Sequence, residues 1–170
     1  DNYFSISSEM KCLDSFYENN VEFFPPGSYG IYNIKNKNLE IKQYYNFKYN
    51  IIQEDTPQII KNIKIKLENA VQKRLLSDRP IGCLLSGGLD SSIIASILKN
   101  HNPNLQTFSI GLKDSPDIIA SQKVANYLNT NHTSIIISEK EMLNAIADTI
   151  YQIESYDITT IRASVPMYLL

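Results

Sequence analysis

The chain reads as an α/β protein on three observations. Three short apolar or β-branched runs, Ile81–Leu85, Leu105–Leu112 and Thr133–Ile137, occupy its C-terminal two thirds. The connections between them are about 20 residues long and carry a helical period, which suits crossovers between parallel strands rather than hairpins. The joint after the first run is Ser86-Gly87-Gly88-Leu89-Asp90-Ser91-Ser92, a small polar stretch between an apolar run and a helical pattern. With 170 residues, 43% of them hydrophobic, the chain can bury a core without disulfides.

Before residue 55 the pattern is different. Phe23-Phe24-Pro25-Pro26-Gly27-Ser28 is a turn signal, since proline fixes φ and glycine permits a positive one. Tyr29–Ile34 and Leu39–Tyr45, separated by Lys35-Asn36-Lys37-Asn38, read as a β-hairpin. Asn46–Asp55 has no clear period and serves as a linker. Thr56-Pro57 then opens a helix, with threonine as N-cap and proline at the first helical position. In this helix Ile59, Ile60, Ile63, Leu67, Ala70, Val71 and Leu75 form a stripe expected to be buried. Nine of the sixteen basic residues fall between Lys35 and Arg74, which fits a solvated hairpin and helix face better than an anion-binding patch.

In the C-terminal part, Ile81–Leu85 is almost continuously apolar, as in a strand buried on both faces. Ser91–Lys99 is a small apolar helix and Leu105–Leu112 a second strand. Ser115-Pro116 opens a helix with Ile119, Ala120, Val124 and Leu128 on one face, and Thr133–Ile137 is a third strand. Ser138 and Glu141 form a capping box ahead of Met142, Leu143, Ile146, Ile150 and Ile153.

Composition narrows the function. A net charge of −2 lacks the basic surplus of a dedicated nucleic-acid binder. Cys12 and Cys83 make no metal-ligand spacing and suggest a reducing compartment. No apolar run reaches the roughly 18–20 residues needed to span a bilayer. The opening DNYFSISSEMKC lacks the basic and apolar regions of a secretory signal, so a cytoplasmic protein with no membrane or nucleic-acid partner is expected.

The chemistry is concentrated at Ser86–Ser92. Open α/β sheets bind ligands where a strand gives way to a helix. There Gly87 and Gly88 let the backbone approach an anion, and the N-terminal amides of the following helix bring the positive end of its dipole. Ser86, Ser91 and Ser92 add short hydroxyls. Asp90 would repel a bare phosphate, which implies an intervening cation such as Mg²⁺. Together they describe a cradle for a pyrophosphate or triphosphate. A Walker A loop is excluded because no Gly-Lys pair occurs, and a dinucleotide fingerprint because no G-x-G-x-x-G occurs. A nucleophile elbow at Ser86, with Asp117 and His132 in triad order, would need glycine where Leu84 stands.

Ser86-Gly87-Gly88-Leu89-Asp90-Ser91 resembles the S-G-G-x-D-S loop of the N-type ATP pyrophosphatases. The longer string from Arg79 to Ser92 resembles the glutamine-hydrolysing asparagine synthetases of the bacterial B type and their eukaryotic relatives. So do Phe108-Ser109-Ile110-Gly111-Leu112, Ser115-Pro116-Asp117 and the most specific string, Tyr156-Asp157-Ile158-Thr159-Thr160-Ile161-Arg162-Ala163-Ser164. Ser8-Glu9-Met10-Lys11 and Phe24-Pro25-Pro26-Gly27-Ser28-Tyr29 resemble the end of that family's glutaminase domain. β-Lactam synthetases resemble the same architecture and are an alternative; a non-catalytic nucleotide-binding or docking remnant is another.

The resemblance implies a parallel doubly wound sheet preceded by a β-rich glutaminase remnant. It divides the chain into residues 1–50 (remnant), 51–57 (linker) and 58–170 (the N-terminal part of the synthetase domain). It implies ATP and Mg²⁺, with aspartate, glutamine or ammonia as further substrates and a homodimeric parent. The implied reaction adenylates the β-carboxylate of aspartate and lets ammonia displace AMP. Residue by residue, Ser86, Gly87, Gly88, Asp90, Ser91 and Ser92 would hold the pyrophosphate, with Asp90 on the metal. Leu85 and Ile110 would contact the adenosine, and Thr159, Thr160 and Arg162 would border the phosphates or the aspartyl group. The family's N-terminal catalytic cysteine, its S-G-E-G-x-D-E segment and a later lysine are absent from these 170 residues. The chain alone is therefore expected to make no asparagine, and Ile81–Leu85 to lie at a sheet edge. Cys12 is expected to be a core or helix-face residue, and Cys83 to be inert.

Overall fold

A computed structural model describes residues 4–14, 21–51 and 53–170. The first three residues of the opening segment and Ile52 of the expected linker lie outside the described residues. The chain divides into two compact units, Asp1–Glu54 and Asp55–Leu170.

In the first unit, α1 (Lys11–Asp14) is a single turn that carries Cys12 on its exposed face, so this thiol is no core residue. β1 (Ser28–Asn33) and β2 (Asn38–Gln43) form the expected hairpin, in antiparallel register from Ser28↔Gln43 to Asn33↔Asn38. Each strand stops short of its expected end for a local reason. The Asn33 side-chain oxygen accepts the Lys35 and Asn36 amides and starts the turn. At the other end the Gly27 carbonyl accepts the amides of both Tyr44 and Tyr45. Phe4 stacks on Tyr32, with ring centroids 4.2 Å apart.

The second unit opens with α2 (Thr56–Lys73). Its N-cap is Asp55, whose carboxylate accepts the Gln58 amide at 3.0 Å, not Thr56 as the Thr-Pro pair suggested. Aspartate is at least as good a cap as threonine, and proline is accommodated within the first turn. The apolar stripe is covered only toward the helix C-terminus: Val71 is buried, whereas Ile60 and Ile63 are about 60% exposed. β3 (Gly82–Leu84) follows, then α3 (Leu89–His101), β4 (Gln106–Leu112), α4 (Pro116–Leu128), β5 (Asn131–Ile137), α5 (Glu139–Asn144), α6 (Ile146–Ile153) and α7 (Ile158–Leu169). Ser138 and Glu141 make both bonds of the predicted capping box, and Ala145 separates α5 from α6 in what was expected to be one helix.

The three strands are parallel and lie in the order β3-β4-β5. The α/β class and the parallel sheet are as expected. The reversal of strand order that defines a doubly wound sheet is not among the described residues, whose strands run in chain order. β3 lies at an edge, and it is not buried on both faces: Cys83 is buried while Leu84 is 47% exposed. The core lies on the Cys83 face, where Cys83, Leu85 and Leu105 pack with Val71 of α2, Ala95 and Leu98 of α3 and Ala125 of α4. The residues of α4 that are fully covered are the small Ser121 and Ala125, while Ile119, expected on its packed face, is exposed. Small side chains there let the helix backbone come close to the sheet.

Candidate functional site

The register brings the chain out of the sheet at Leu85. Its amide donates to the Phe108 carbonyl at 2.8 Å, one step beyond the last β3–β4 pair, and its side chain is sealed in the core. Gly87 then takes φ +79°, a conformation that costs an L-residue strain. Gly88 is the N-cap of α3, and its carbonyl accepts the Ser92 amide at 3.1 Å. The amides of Leu89, Asp90 and Ser91 precede the first intrahelical donor, the Ser92 amide, so they stand at the positive end of the helix as free donors. A Cβ built on Gly88 would meet nothing closer than Ser86 Oγ at 3.4 Å, so the approach to these amides is open.

The hydroxyls are turned on the loop itself. Ser86 Oγ and Ser91 Oγ are 3.0 Å apart, and Ser91 Oγ accepts the Ser86 amide at 3.3 Å. Ser91 and Ser92 both donate to the Gly88 carbonyl, at 3.2 and 2.6 Å. This local bonding is what serine offers near a helix start. It leaves the backbone amides, more than the hydroxyls, as the donors an anion would meet.

Asp90 is exposed in the first turn of α3. Among the described residues no three His, Cys, Asp or Glu side chains cluster as a metal site. A single accessible carboxylate fits Mg²⁺, which commonly takes one or two protein carboxylates and fills its shell with water and substrate phosphate.

Leu85 and Ile110, expected together at the adenosine, do not share a face. Leu84 pairs with Phe108, so Leu85 is in phase with Ser109 and Ile110 points to the opposite side of the sheet. Contact by both with one ligand can therefore involve at most one of the two side chains, together with backbone.

Thr159, Thr160 and Arg162 sit in the first turns of α7. The N-cap Asp157 accepts both the amide and the hydroxyl of Thr160 at 2.7 Å. Those bonds hold the Asp157 carboxyl below its usual range. Thr159 and Arg162 are exposed, and among the described residues no hydrogen bond or ion pair joins this turn to the Ser86–Ser92 loop.

The elbow alternative fails on geometry as well as on sequence. His132 belongs to a different cluster: its Nδ1 lies 2.9 Å from Thr107 Oγ1, and its Nε2 3.1 Å from Ser109 Oγ and 3.2 Å from Ser134 Oγ. Thr107 is also bonded to Thr130 at 2.8 Å, and Ser109 donates to Ser134 at 3.0 Å. Burial pushes the His132 pKa down, partly offset by the Thr107 backbone. The signal for this cluster was in the sequence: polar residues at 107 and 109, and at 132 and 134, repeat at the strand period on adjacent strands. Cys83 is buried, and desolvation raises its thiol pKa, which fits an inert residue. A shallow hollow lined by Pro103, Asn104, Gln106, Asn129, Thr130 and Asn131 opens at the N-terminal end of β4 and β5, away from the loop.

A family model described as asparagine synthase matches residues 62–170. The glutamine-hydrolyzing asparagine synthetase of Mus musculus is 38% identical over 197 aligned positions, covering 100% of this chain and 35% of the relative. Asparagine synthetase 1 of Arabidopsis thaliana is 44% identical over 97% of this chain and 29% of its own length. Asparagine synthetase B of Escherichia coli K12 is 42% identical over 97% and 32%. The chain thus spans about a third of the length of the curated relatives it matches.

Proposed function

The chain belongs to the asparagine synthase family, and from that premise we propose that it is the nucleotide-loop portion of a glutamine-hydrolysing asparagine synthetase. The whole protein would join aspartate and ammonia from glutamine at the expense of ATP. The single observation that carries this reading is the strand-to-helix loop, where Gly87 and Gly88 open onto the free N-terminal amides of α3. In this reading residues 1–50 are the end of a glutaminase domain, residues 51–57 a linker and residues 58–170 the start of the synthetase domain. The division of the chain into units at Glu54 supports that order.

The reaction proposed is a two-step ligation. A β-carboxylate oxygen of aspartate bonds to the α-phosphorus of ATP, and pyrophosphate leaves. Ammonia then adds to the acyl carbon, AMP leaves with the bonding pair, and the surplus proton goes to solvent or base. The residues of this chain serve the first step. The amides following Gly88 hold the pyrophosphate oxygens where negative charge accumulates, a preorganised field that water would have to reorganise to supply. Ser86, Ser91 and Ser92 shape the loop and add hydroxyls to its rim. Asp90 would hold a magnesium ion, which neutralises phosphate charge when bound. Backbone at Leu85 and Ile110 borders the adenosine, and Thr159, Thr160 and Arg162 border the phosphates or the aspartyl group.

The test is aspartate-dependent exchange of labelled pyrophosphate into ATP by the full-length protein. Exchange that requires aspartate is the expected result. Exchange absent under conditions where the glutaminase releases ammonia would sink the reading.

A further inference from the structure

The two glycines of the loop are there for different reasons, and the difference points beyond the loop. A Cβ on Gly88 meets only a serine hydroxyl at ordinary contact distance. A Cβ on Gly87 would come within 2.4 Å of the Ala120 carbonyl carbon, 2.5 Å of the Ser121 amide nitrogen and 2.6 Å of the Ala120 Cβ. The bend of the loop therefore rests directly on the backbone of α4, in its second turn.

That turn is itself fixed. Ser121 is fully buried, and its hydroxyl folds back onto the Ile118 carbonyl at 2.9 Å instead of projecting toward the loop. The helix is also tied to the end of β4. A Cβ at Gly111 would come within 2.9 Å of the Ser115 Oγ and 3.2 Å of Ile118 Cγ1, so the N-terminal turn of α4 lies hard against the strand that carries Ile110. One helix thus touches both the phosphate loop and the strand end proposed to border the adenosine.

We propose that Ala120 and Ser121 are positioning residues for the phosphate loop: by pressing their backbone against Gly87 they set how far the α3 amides stand from a bound pyrophosphate. The proposal rests on the nucleotide reading above. It requires side chains at 120 and 121 small enough for loop and helix to stay in contact. Valine at 120 puts two methyl groups on the Cβ and keeps essentially one χ1 rotamer in a helix. The loop would have to back away, and displacements of this kind are costly at sites that depend on fixed donors.

The experiment compares the full-length protein with its Ala120→Val and Ala120→Ser variants. Inorganic pyrophosphate with Mg²⁺ is titrated by calorimetry, and amide hydrogen exchange is followed across residues 86–92. Ala120→Val is expected to weaken pyrophosphate binding on the order of tenfold and to speed exchange of the loop amides. Ala120→Ser, which adds one small atom, is expected to behave as the unmodified chain. Wild-type binding with an unchanged affinity in Ala120→Val overturns the positioning role while leaving the nucleotide reading intact. No pyrophosphate binding by the unmodified full-length protein removes the nucleotide reading, and the proposal with it. Should Ala120→Val lose its fold by circular dichroism, Gly87→Ala meets the same backbone from the loop side. It is expected to show the same loss of binding with the fold retained, and full affinity in that variant would overturn the proposal.

Discussion

The Ser86–Ser92 loop and the His132 cluster are both built from serine, threonine and backbone around one parallel sheet, yet they are opposites. In the loop the hydroxyls reach only their own neighbours, a glycine holds a positive φ, and the donors left over are helix amides open to an approaching group. In the cluster Thr107 is fully buried, and both imidazole nitrogens of His132 are matched by hydroxyls. A saturated, half-buried network stabilises a fold and has little left to offer a ligand. An exposed loop whose glycine takes a positive φ without strain, and whose helix amides have no partner within the helix, keeps donors to offer. Polar residues alone do not mark function; what distinguishes the two regions is where their hydrogen bonds go.

Removing a group from each region should therefore damage different properties. The largest effect belongs to Asp90→Ala in the full-length protein. Aspartate-dependent ATP–pyrophosphate exchange is expected to fall by about 10²–10³, the usual loss when one charge-stabilising group is taken from a transition state. Glutamine hydrolysis should continue unchanged. An exchange rate close to that of the unmodified protein would take Asp90 out of the metal role.

The contrast also explains what could be read from the chain alone. The strands, the hairpin and the capping box were legible because periodicity and capping are local, and Ser138 and Glu141 pair as their spacing implies. The loop was legible because glycine, serine and aspartate at a strand-to-helix joint have few other uses. Burial was less so. Ile60 and Ile63 continue the stripe that Val71 buries, but cover depends on what packs beside them. Nor could periodicity tell that Leu85 and Ile110 face opposite ways, because that needs the pairing of Leu84 with Phe108. The support of Gly87 by α4 joins residues 33 positions apart and leaves no mark except small side chains at 120 and 121.

A matched pair of substitutions sharpens the contrast at intermediate scale. Thr107→Val keeps the volume but strips a hydroxyl from between Thr130 and His132, leaving two half-buried groups without that partner. A loss of about 1–3 kcal/mol in unfolding free energy is expected, with pyrophosphate affinity unchanged. Ser91→Ala should do the reverse, staying within about 0.5 kcal/mol in stability while weakening pyrophosphate binding. Chemical denaturation and calorimetry of both variants check this. If Thr107→Val lost affinity as readily as stability, the two regions would not be separable in function.

The smallest effect is the dependence of stability on pH, and its sign follows from the cluster. Burial lowers the His132 pKa in the folded chain, so the unfolded chain takes up the proton first as pH falls. Above the ordinary histidine value of about 6.5 both states are neutral and the contribution to stability is whole. It declines as pH drops below that value and is spent once the folded state also protonates. Glu141 and Asp157 act in a separate window: their carboxyls are held low by Ser138 and Thr160, so their contribution persists until pH falls through the acidic carboxylate range. Thermal midpoints measured from pH 7.5 down to 5.5 should fall for the unmodified chain and stay nearly level for His132→Gln. Parallel slopes in the two proteins would mean that the hydroxyl cage takes up the charged imidazole at no cost. The hydroxyls would then be reorienting freely, and the cluster would be closer in character to the loop than its burial suggests.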